Sequence, residues 1–101
     1  MTMKKILLVC NAGMSTSMLV AKMKKAAEKD GIEVSIEAKP LSDAKAQIQE
    51  TDIVLLGPQI RYELENVRKI AGSTPVEAID MKDYGMMNGE KVLKHALEVI
   101  G

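Results

Sequence analysis

The stretch of the chain best suited to chemistry is a short polar segment, Cys-Asn-Ala-Gly-Met-Ser-Thr-Ser, that begins at Cys10 directly after an apolar run. Cys10 is the only cysteine among the 101 residues, and a thiolate is a strong nucleophile. Gly13 can adopt backbone conformations that other residues avoid. Three good N-cap candidates for a following helix come next: Ser15, Thr16 and Ser17.

Such a segment predicts an anion site around the sulfur. Successive backbone N–H groups, together with the positive end of the helix, form a cradle of phosphate size. A lone cysteine at the end of a strand can equally be a small buried hydrophobe. A cysteine in that role, however, has no need of the glycine, serine and threonine residues that follow Cys10. The segment therefore favours a cysteine that accepts, holds and passes on a phosphoryl group.

Two enzyme classes and one non-catalytic role are the alternatives. A cysteine phosphatase carries Cys-(x)5-Arg, but here Thr16 stands at the arginine position and the two arginines, Arg61 and Arg68, are distant in sequence. Without the bidentate guanidinium, a free phosphomonoester is harder to bind. An arsenate-reductase-like enzyme would need a second cysteine, which the chain lacks. A regulatory or interaction domain would function without Cys10.

Short apolar runs predict four β-strands, at residues 6–9, 34–39, 53–56 and 76–80. The first and third runs are continuous and branched, as in strands that are covered on both faces. The second alternates apolar and polar residues, and the fourth is short and mixed. We therefore expect two central strands and two edge strands.

In the segments that follow these strands, apolar residues recur at the spacing of an amphipathic helix. The first predicted helix carries Leu19, Val20, Met23, Ala26 and Ala27 and stops at Gly31; the second carries Leu41, Ala44 and Ile48; the third carries Ile60, Leu64, Val67 and Ala71 and stops at Gly72; the last carries Val92, Leu93, Ala96, Leu97 and Ile100. Strand–helix order repeated four times predicts an α/β fold with a parallel sheet and right-handed crossovers. With strand order 2-1-3-4, a crevice opens beyond Cys10 and residues 57–59.

Composition narrows the classes of function. The 14 basic and 14 acidic side chains cancel, and Tyr62 and Tyr84 are the only aromatic residues, so we expect no nucleic-acid partner. No run approaches the ~20 apolar residues of a membrane span, and a lone thiol fits a reducing compartment, so we expect a cytoplasmic protein. One cysteine and one histidine are too few for a metal site of soft ligands. The length fits one domain, residues 1–101.

Three segments of the chain resemble a known family: LLVCNAGMSTSMLV, DIVLLGPQIRYEL and VEAIDMKDYGMMNG. They are similar to the IIB component of the bacterial phosphoenolpyruvate-dependent sugar phosphotransferase system, in its lactose/cellobiose (chitobiose) family and nearest to the cellobiose type. The similarity spans nearly the whole chain in order, and CNAGMSTS is its most specific part. It implies the same four-stranded parallel sheet, related to low-molecular-weight tyrosine phosphatases and flavodoxin-like proteins, and a phosphotransferase without a cofactor.

The resemblance also implies partners and site residues. The family's cysteine takes a phosphoryl group from a phosphohistidine on the IIA component and gives it to a sugar bound by the membrane component IIC, here of the β-diglucoside (cellobiose/chitobiose) class. Carried over, Cys10 is the phosphorylated cysteine. The phosphate-holding residues are Asn11, Ala12, Gly13, Met14, Ser15, Thr16 and Ser17. A monomer at the inner face of the membrane suffices for such transient docking.

The roles of several other residues stay open at this point. Gln59 could bind the phosphoryl group or cap the third helix. Tyr84, in the loop after strand 4, could close over the site, orient a partner or pack in the core. A strip on the first helix could dock IIA and IIC: Met14, Met18, Ala21 and the neighbouring Lys22. Asp80 and Asp83 would repel a phosphocysteine unless their carboxylates are turned away from it, and they receive no catalytic role. His95, the rival acceptor, lies on the polar face of the last helix, which indicates a solvated side chain.

Overall fold

The computed structural model of the chain describes residues 3–10 and 13–101, and of residues 13–15 it describes the backbone only. The strands are β1 (Lys4–Val9), β2 (Val34–Lys39), β3 (Ile53–Leu56) and β4 (Val76–Ala78). The helices are α1 (Gly13–Asp30), α2 (Leu41–Ala44), α3 (Leu64–Ala71), α4 (Met81–Gly85) and α5 (Gly89–Ile100). Two 3-10 segments, Ile48–Glu50 and Pro58–Glu63, precede β3 and α3.

The four strands form one parallel sheet in the order β2-β1-β3-β4, which confirms the predicted topology. Val9, the last residue of β1, lies opposite Lys39 of β2 and Leu56 of β3. Leu56 in turn lies opposite Ala78 of β4. The carboxyl ends of all four strands therefore meet at one edge of the sheet, and the residue after β1 lies in the middle of that edge.

Two apolar layers cover the sheet because successive side chains of a strand point to opposite faces. Ile6 and Leu8 of β1 pack with buried residues of α1 and α5. Leu7 and Val9 pack with buried residues of α2 and α3. The continuous apolar run of β1 is thus explained by burial on both faces, as predicted.

Helix α1 buries the predicted face, with Leu19 and Met23 inaccessible to solvent and Ala27 buried beside them. It ends at the predicted stop, where Gly31 adopts a φ of 68°. That left-handed conformation is open to glycine at little cost and ends a helix. Helix α3 ends in the same way at Gly72, with a φ of 65°.

Helices α1 and α5 make a close contact at Gly89, the first residue of α5. A Cβ atom on Gly89 would lie 2.6 Å from the backbone carbon of Lys22 and 2.6 Å from the backbone nitrogen of Met23. Real Cβ atoms do not approach backbone atoms so closely, so only glycine permits this helix spacing. Asn88 caps α5, and its side-chain oxygen accepts from the Lys91 N–H (3.2 Å).

The second and third predicted helices are shorter than expected. Helix α2 ends at Ala44, and Ile48 begins a separate 3-10 segment, although both residues are buried in the same layer. Before α3, Ile60 departs from helical geometry (φ −121°, ψ 25°) within the segment Pro58–Glu63. Apolar residues at helical spacing can all be buried in one layer even when the chain between them is not one continuous helix. The spacing therefore predicted a second and a third helix that are longer than those observed.

The connection after β4 also differs from the prediction of a loop, because it contains the short helix α4. Asp80 caps this helix, and its Oδ1 accepts from the N–H groups of Lys82 (2.8 Å) and Asp83 (3.2 Å). The cap satisfies two amides that would otherwise be unpaired. Among the described residues, no helix is both long enough and apolar enough to cross a membrane.

Candidate functional site around Cys10

Cys10 follows the last residue of β1 at the centre of the carboxyl edge of the sheet. Its N–H donates to the carbonyl oxygen of Lys39 (3.2 Å), which extends the pairing of β1 with β2 by one residue. The residue is 4% exposed. By the alternation of β1, its side chain lies on the face that carries α1 and α5. The sulfur is thus placed at the mouth of the crevice that the strand order predicts.

Gly57 lies beside Cys10 across the gap between β1 and β3. Its N–H donates to the carbonyl oxygen of Val9 (2.9 Å). A Cβ on Gly57 would lie 3.5 Å from the Cys10 Sγ and 3.6 Å from its Cβ. The missing side chain at position 57 therefore leaves space directly against the sulfur.

The side chain of Gln59 borders the same space. Its Oε1 lies 3.0 Å from the position that a Cβ on Gly57 would occupy, and the residue as a whole is exposed. The structure therefore brings Gln59 close to Cys10, as the sequence suggested for the end of the third strand. No side-chain cap at the start of the following 3-10 segment or of α3 comes from Gln59.

Helix α1 begins at Gly13, only three residues after Cys10. The first four N–H groups of a helix have no partner within it, and they carry the positive end of its dipole. Thr16 and Ser17 lie inside the helix, so their predicted role as N-caps is wrong, because the chain enters α1 earlier than the cap signals indicated. Asn11 and Ala12 lie outside the described residues, as do the side chains of Met14 and Ser15.

Thr16 and Tyr84 form a buried pair. Thr16 is 1% exposed and Tyr84 is 6% exposed. The Thr16 Oγ1 and the Tyr84 OH lie 3.3 Å apart, and either atom can be the donor. Thr16 was expected to offer its hydroxyl to a phosphate, but in this structure the hydroxyl faces Tyr84. Tyr84 lies in α4 and packs in the core layer, not in a loop over the site.

The outer face of α1 is open to solvent over the part of the predicted docking strip whose side chains the structure describes, from Ser17 onward. Met18 is 58% exposed, and Ser17, Ala21 and Lys22 are exposed as well. Their placement opposite the buried face agrees with the sequence interpretation. Since α1 begins three residues after Cys10, the strip starts close to the sulfur along the chain.

The groups that received no catalytic role have other contacts. Asp80 caps α4, and Asp83 Oδ1 lies 3.7 Å from the Lys91 Nζ. His95 is exposed on α5 and pairs through its Nε2 with the carboxylate of Glu77. In the described part of the chain, no three side chains of His, Cys, Asp or Glu come together to hold a metal ion.

Sequence reasoning missed the part that Gly57 plays at the site. The sequence pattern places Gly57 at the end of the third strand, but it does not predict that this residue leaves space beside the sulfur. A usable signal existed in the alignment of the two central strands. A glycine one residue after β3 lies next to a cysteine one residue after β1 when the two strands are neighbours and their last residues, Val9 and Leu56, are paired.

The model of one protein family matches residues 5–95: the lactose/cellobiose-specific IIB subunit of the phosphotransferase system. The chain is 44% identical, over 97% of both chains, to the oligo-beta-mannoside-specific EIIB component of Bacillus subtilis. It is 46% identical to the galactose-specific and the cellobiose-specific EIIB components of Lactococcus lactis, over 92% of this chain and 93% of each relative.

Two solved structures share the fold. The solution structure of the cellobiose-specific phosphotransferase IIB component from Borrelia burgdorferi superimposes with a TM-score of 0.82 at 42% identity, covering 98% of this chain and 93% of that one. The lactose-specific IIB component domain from Streptococcus pneumoniae gives a TM-score of 0.81 at 18% identity, covering 96% of this chain and 97% of that one. The latter likeness concerns the fold alone. The chain therefore belongs to the lactose/cellobiose family of IIB components of the sugar phosphotransferase system, whose members are phosphotransferases that transfer phosphoryl groups to sugar.

Proposed function

We propose that Cys10 is the phosphoryl carrier of this IIB component. The observation that carries the proposal is the position of its sulfur, at the end of β1, beside the space left by Gly57 and three residues before the start of α1. The chain has no other cysteine, and the rival acceptor His95 is engaged with Glu77 on an exposed face.

The first step is attack by the Cys10 thiolate on the phosphorus of a phosphohistidine carried by a IIA partner. The S–P bond forms and the N–P bond breaks, and the imidazole nitrogen keeps the electron pair. Backbone N–H groups at the start of α1, from Gly13 onward, would stabilise the charge on the transferring oxygens. Residues 11–17 are proposed to hold the product, with Thr16 contributing its backbone N–H, since its hydroxyl faces Tyr84. Gln59 would be a further hydrogen-bond donor once its amide rotates, because its Oε1 and not its nitrogen borders the space beside Cys10 in this structure.

The second step passes the group to a sugar hydroxyl. The S–P bond breaks, Cys10 leaves as the thiolate, and the hydroxyl proton goes to a base of the membrane partner IIC. We propose a β-diglucoside-type sugar of the cellobiose/chitobiose class. A cellobiose-specific relative is 46% identical to this chain and a relative specific for another β-linked oligosaccharide, oligo-beta-mannoside, is 44% identical, although a galactose-specific relative is also 46% identical. The component would work as a monomeric single domain in the cytoplasm, at the inner face of the membrane.

The proposal is tested by intact mass and site mapping after incubation with phosphoenolpyruvate, the general phosphotransferase components and IIA. We expect one added phosphoryl group on the peptide that contains Cys10. It should be discharged when membranes with IIC and a β-diglucoside are added. Phosphorylation of the peptide that contains His95, or none at all, would contradict the carrier role. Release of phosphate from an added aryl phosphate would instead support a phosphatase.

Gly57→Ala should slow phosphoryl acceptance without unfolding the protein. The backbone of Gly57 (φ −60°, ψ 150°) suits alanine, and the nearest atom is the flexible end of Gln59. The added methyl would occupy the space 3.5 Å from the sulfur, and small displacements of reacting groups reduce rates by about 10- to 100-fold. The initial rate of transfer from phosphorylated IIA measures this. Gly85→Ala is the control, because no atom outside its own stretch of helix lies within 4 Å of its Cβ position. Equal rates for the two variants would contradict the proposed geometry.

Met18→Glu should weaken the productive encounter with IIA. Met18 is 58% exposed. It belongs to the strip proposed to dock the partners, whose other members are Met14, Ala21 and Lys22. Removal of one apolar anchor costs roughly 1–2 kcal/mol of binding, so we expect the KM for IIA to rise about tenfold with little change in kcat. Met3→Glu is the matched control, since exposed Met3 precedes β1 at the opposite edge of the sheet. An unchanged KM for Met18→Glu would exclude Met18 from the interface.

A further inference from the structure

We infer that Tyr84 is a positioning residue for phosphoryl transfer at Cys10 and acts through Thr16. This inference rests on the proposed carrier role of Cys10. Tyr84 does not need to touch the phosphoryl group. Its hydroxyl fixes the buried side chain of Thr16. Through Thr16 it holds the first turns of α1, whose N–H groups are proposed to stabilise the transferring charge.

The contact joins two distant parts of the chain. Thr16 and Tyr84 are 68 positions apart, and their hydroxyl oxygens lie 3.3 Å apart in the core. Both residues are almost completely buried. A buried hydroxyl that loses its partner is strongly disfavoured, so the pair selects one orientation of Thr16. Without this partner, the buried Thr16 side chain could rotate, and the part of α1 that carries it could shift.

Tyr84 itself sits on a firmly held segment. At one end, the Asp80 carboxylate caps α4, and the Tyr84 N–H donates to the Asp80 carbonyl oxygen (2.9 Å). At the other end, Gly89 packs directly on the backbone of α1 at Lys22 and Met23. The segment between these points is therefore anchored at both ends, and its second anchor lies on α1 itself. The Tyr84 hydroxyl is therefore held in place next to α1, where it can fix the orientation of the Thr16 side chain.

The position of Thr16 near Cys10 links this contact to phosphoryl transfer. Thr16 is the sixth residue after Cys10 and lies in the first turns of α1. The helix N–H groups must point at the oxygens of the transferring phosphoryl group, and electrostatic stabilisation of this kind depends on donors that are held in place beforehand. A loosened first turn would lower the rate of the transfer step more than the affinity for the partner.

The test is a double-mutant cycle of Tyr84→Phe and Thr16→Val, measured as kcat and KM for transfer from phosphorylated IIA, with thermal unfolding in parallel. We expect each variant to lower kcat by about three- to tenfold with KM nearly unchanged. The double variant should be no slower than the slower single variant. Thr16→Ser keeps the hydroxyl and should restore kcat to within about twofold of wild type. Tyr62→Phe is the control, because Tyr62 is 71% exposed.

The outcomes separate this inference from the proposed function. Wild-type kcat in Tyr84→Phe, or slowing that is fully additive in the double variant, would overturn the positioning role. A lowered unfolding temperature with unchanged kcat would show that the pair serves stability alone, and would overturn it as well. A wild-type protein that takes no phosphoryl group on Cys10 would overturn the proposed function together with this inference.

Discussion

Cys10→Ser is expected to abolish phosphoryl acceptance and to leave the fold intact. A serine hydroxyl is far less nucleophilic than a thiolate at neutral pH, and no base is proposed to activate it. Loss of a catalytic nucleophile typically lowers rates by a factor of about a thousand or more. The substitution changes one atom of a side chain at the end of β1, so circular dichroism and the unfolding midpoint should stay close to those of the wild type.

The measurement is intact mass after incubation with phosphoenolpyruvate, the general components and IIA, followed by sugar phosphorylation with membranes that contain IIC. His95→Gln is the matched control. This substitution removes the only histidine of the chain, which is the rival phosphoryl acceptor. The variant should still be phosphorylated at the wild-type rate, because His95 is an exposed partner of Glu77. A phosphorylated Cys10→Ser protein, or an inactive His95→Gln protein, would contradict the assignment of Cys10.

Gly89→Ala is expected to be the most destabilising of the glycine substitutions discussed. The new methyl would lie 2.6 Å from the backbone of Lys22 and Met23, and a helix backbone cannot yield as a side chain can. Overpacking of this kind costs about 1–3 kcal/mol. For a domain of this size, each kcal/mol lowers the unfolding temperature by about 4–8 °C. We therefore expect a fall of at least several degrees.

Thermal unfolding monitored by circular dichroism tests this expectation, with Gly85→Ala as the control. Gly85 is also helical, and its Cβ position is open, so alanine there should be neutral or stabilising by about 0.4–1 kcal/mol. Equal unfolding temperatures for the two variants would mean that α1 and α5 can separate at no cost. The close contact at Gly89 would then not hold the segment that carries Tyr84.

The local pattern of apolar and polar residues was enough to predict the sheet and the helices that flank it. The continuous apolar runs of β1 and β3 predicted central strands, because only strands covered on both faces carry such runs. The alternation of strands and helices gave the parallel order, and Gly31 and Gly72 marked the ends of two helices. The helix bounds were less predictable. Ala44 and Ile48 are buried with helical spacing, but a turn separates them, since burial in one layer does not require one continuous helix.

The sequence by itself therefore determined the sheet, its strand order and the place of the single thiol at its carboxyl edge, because these follow from apolar periodicity and chain connectivity. Only the tertiary structure decided what surrounds that thiol. The space at Gly57, the approach of α5 to α1 at Gly89 and the pairing of Thr16 with Tyr84 each depend on distances between elements far apart in the chain. Local propensity carries no information about such distances, which are set by how the layers pack on the sheet.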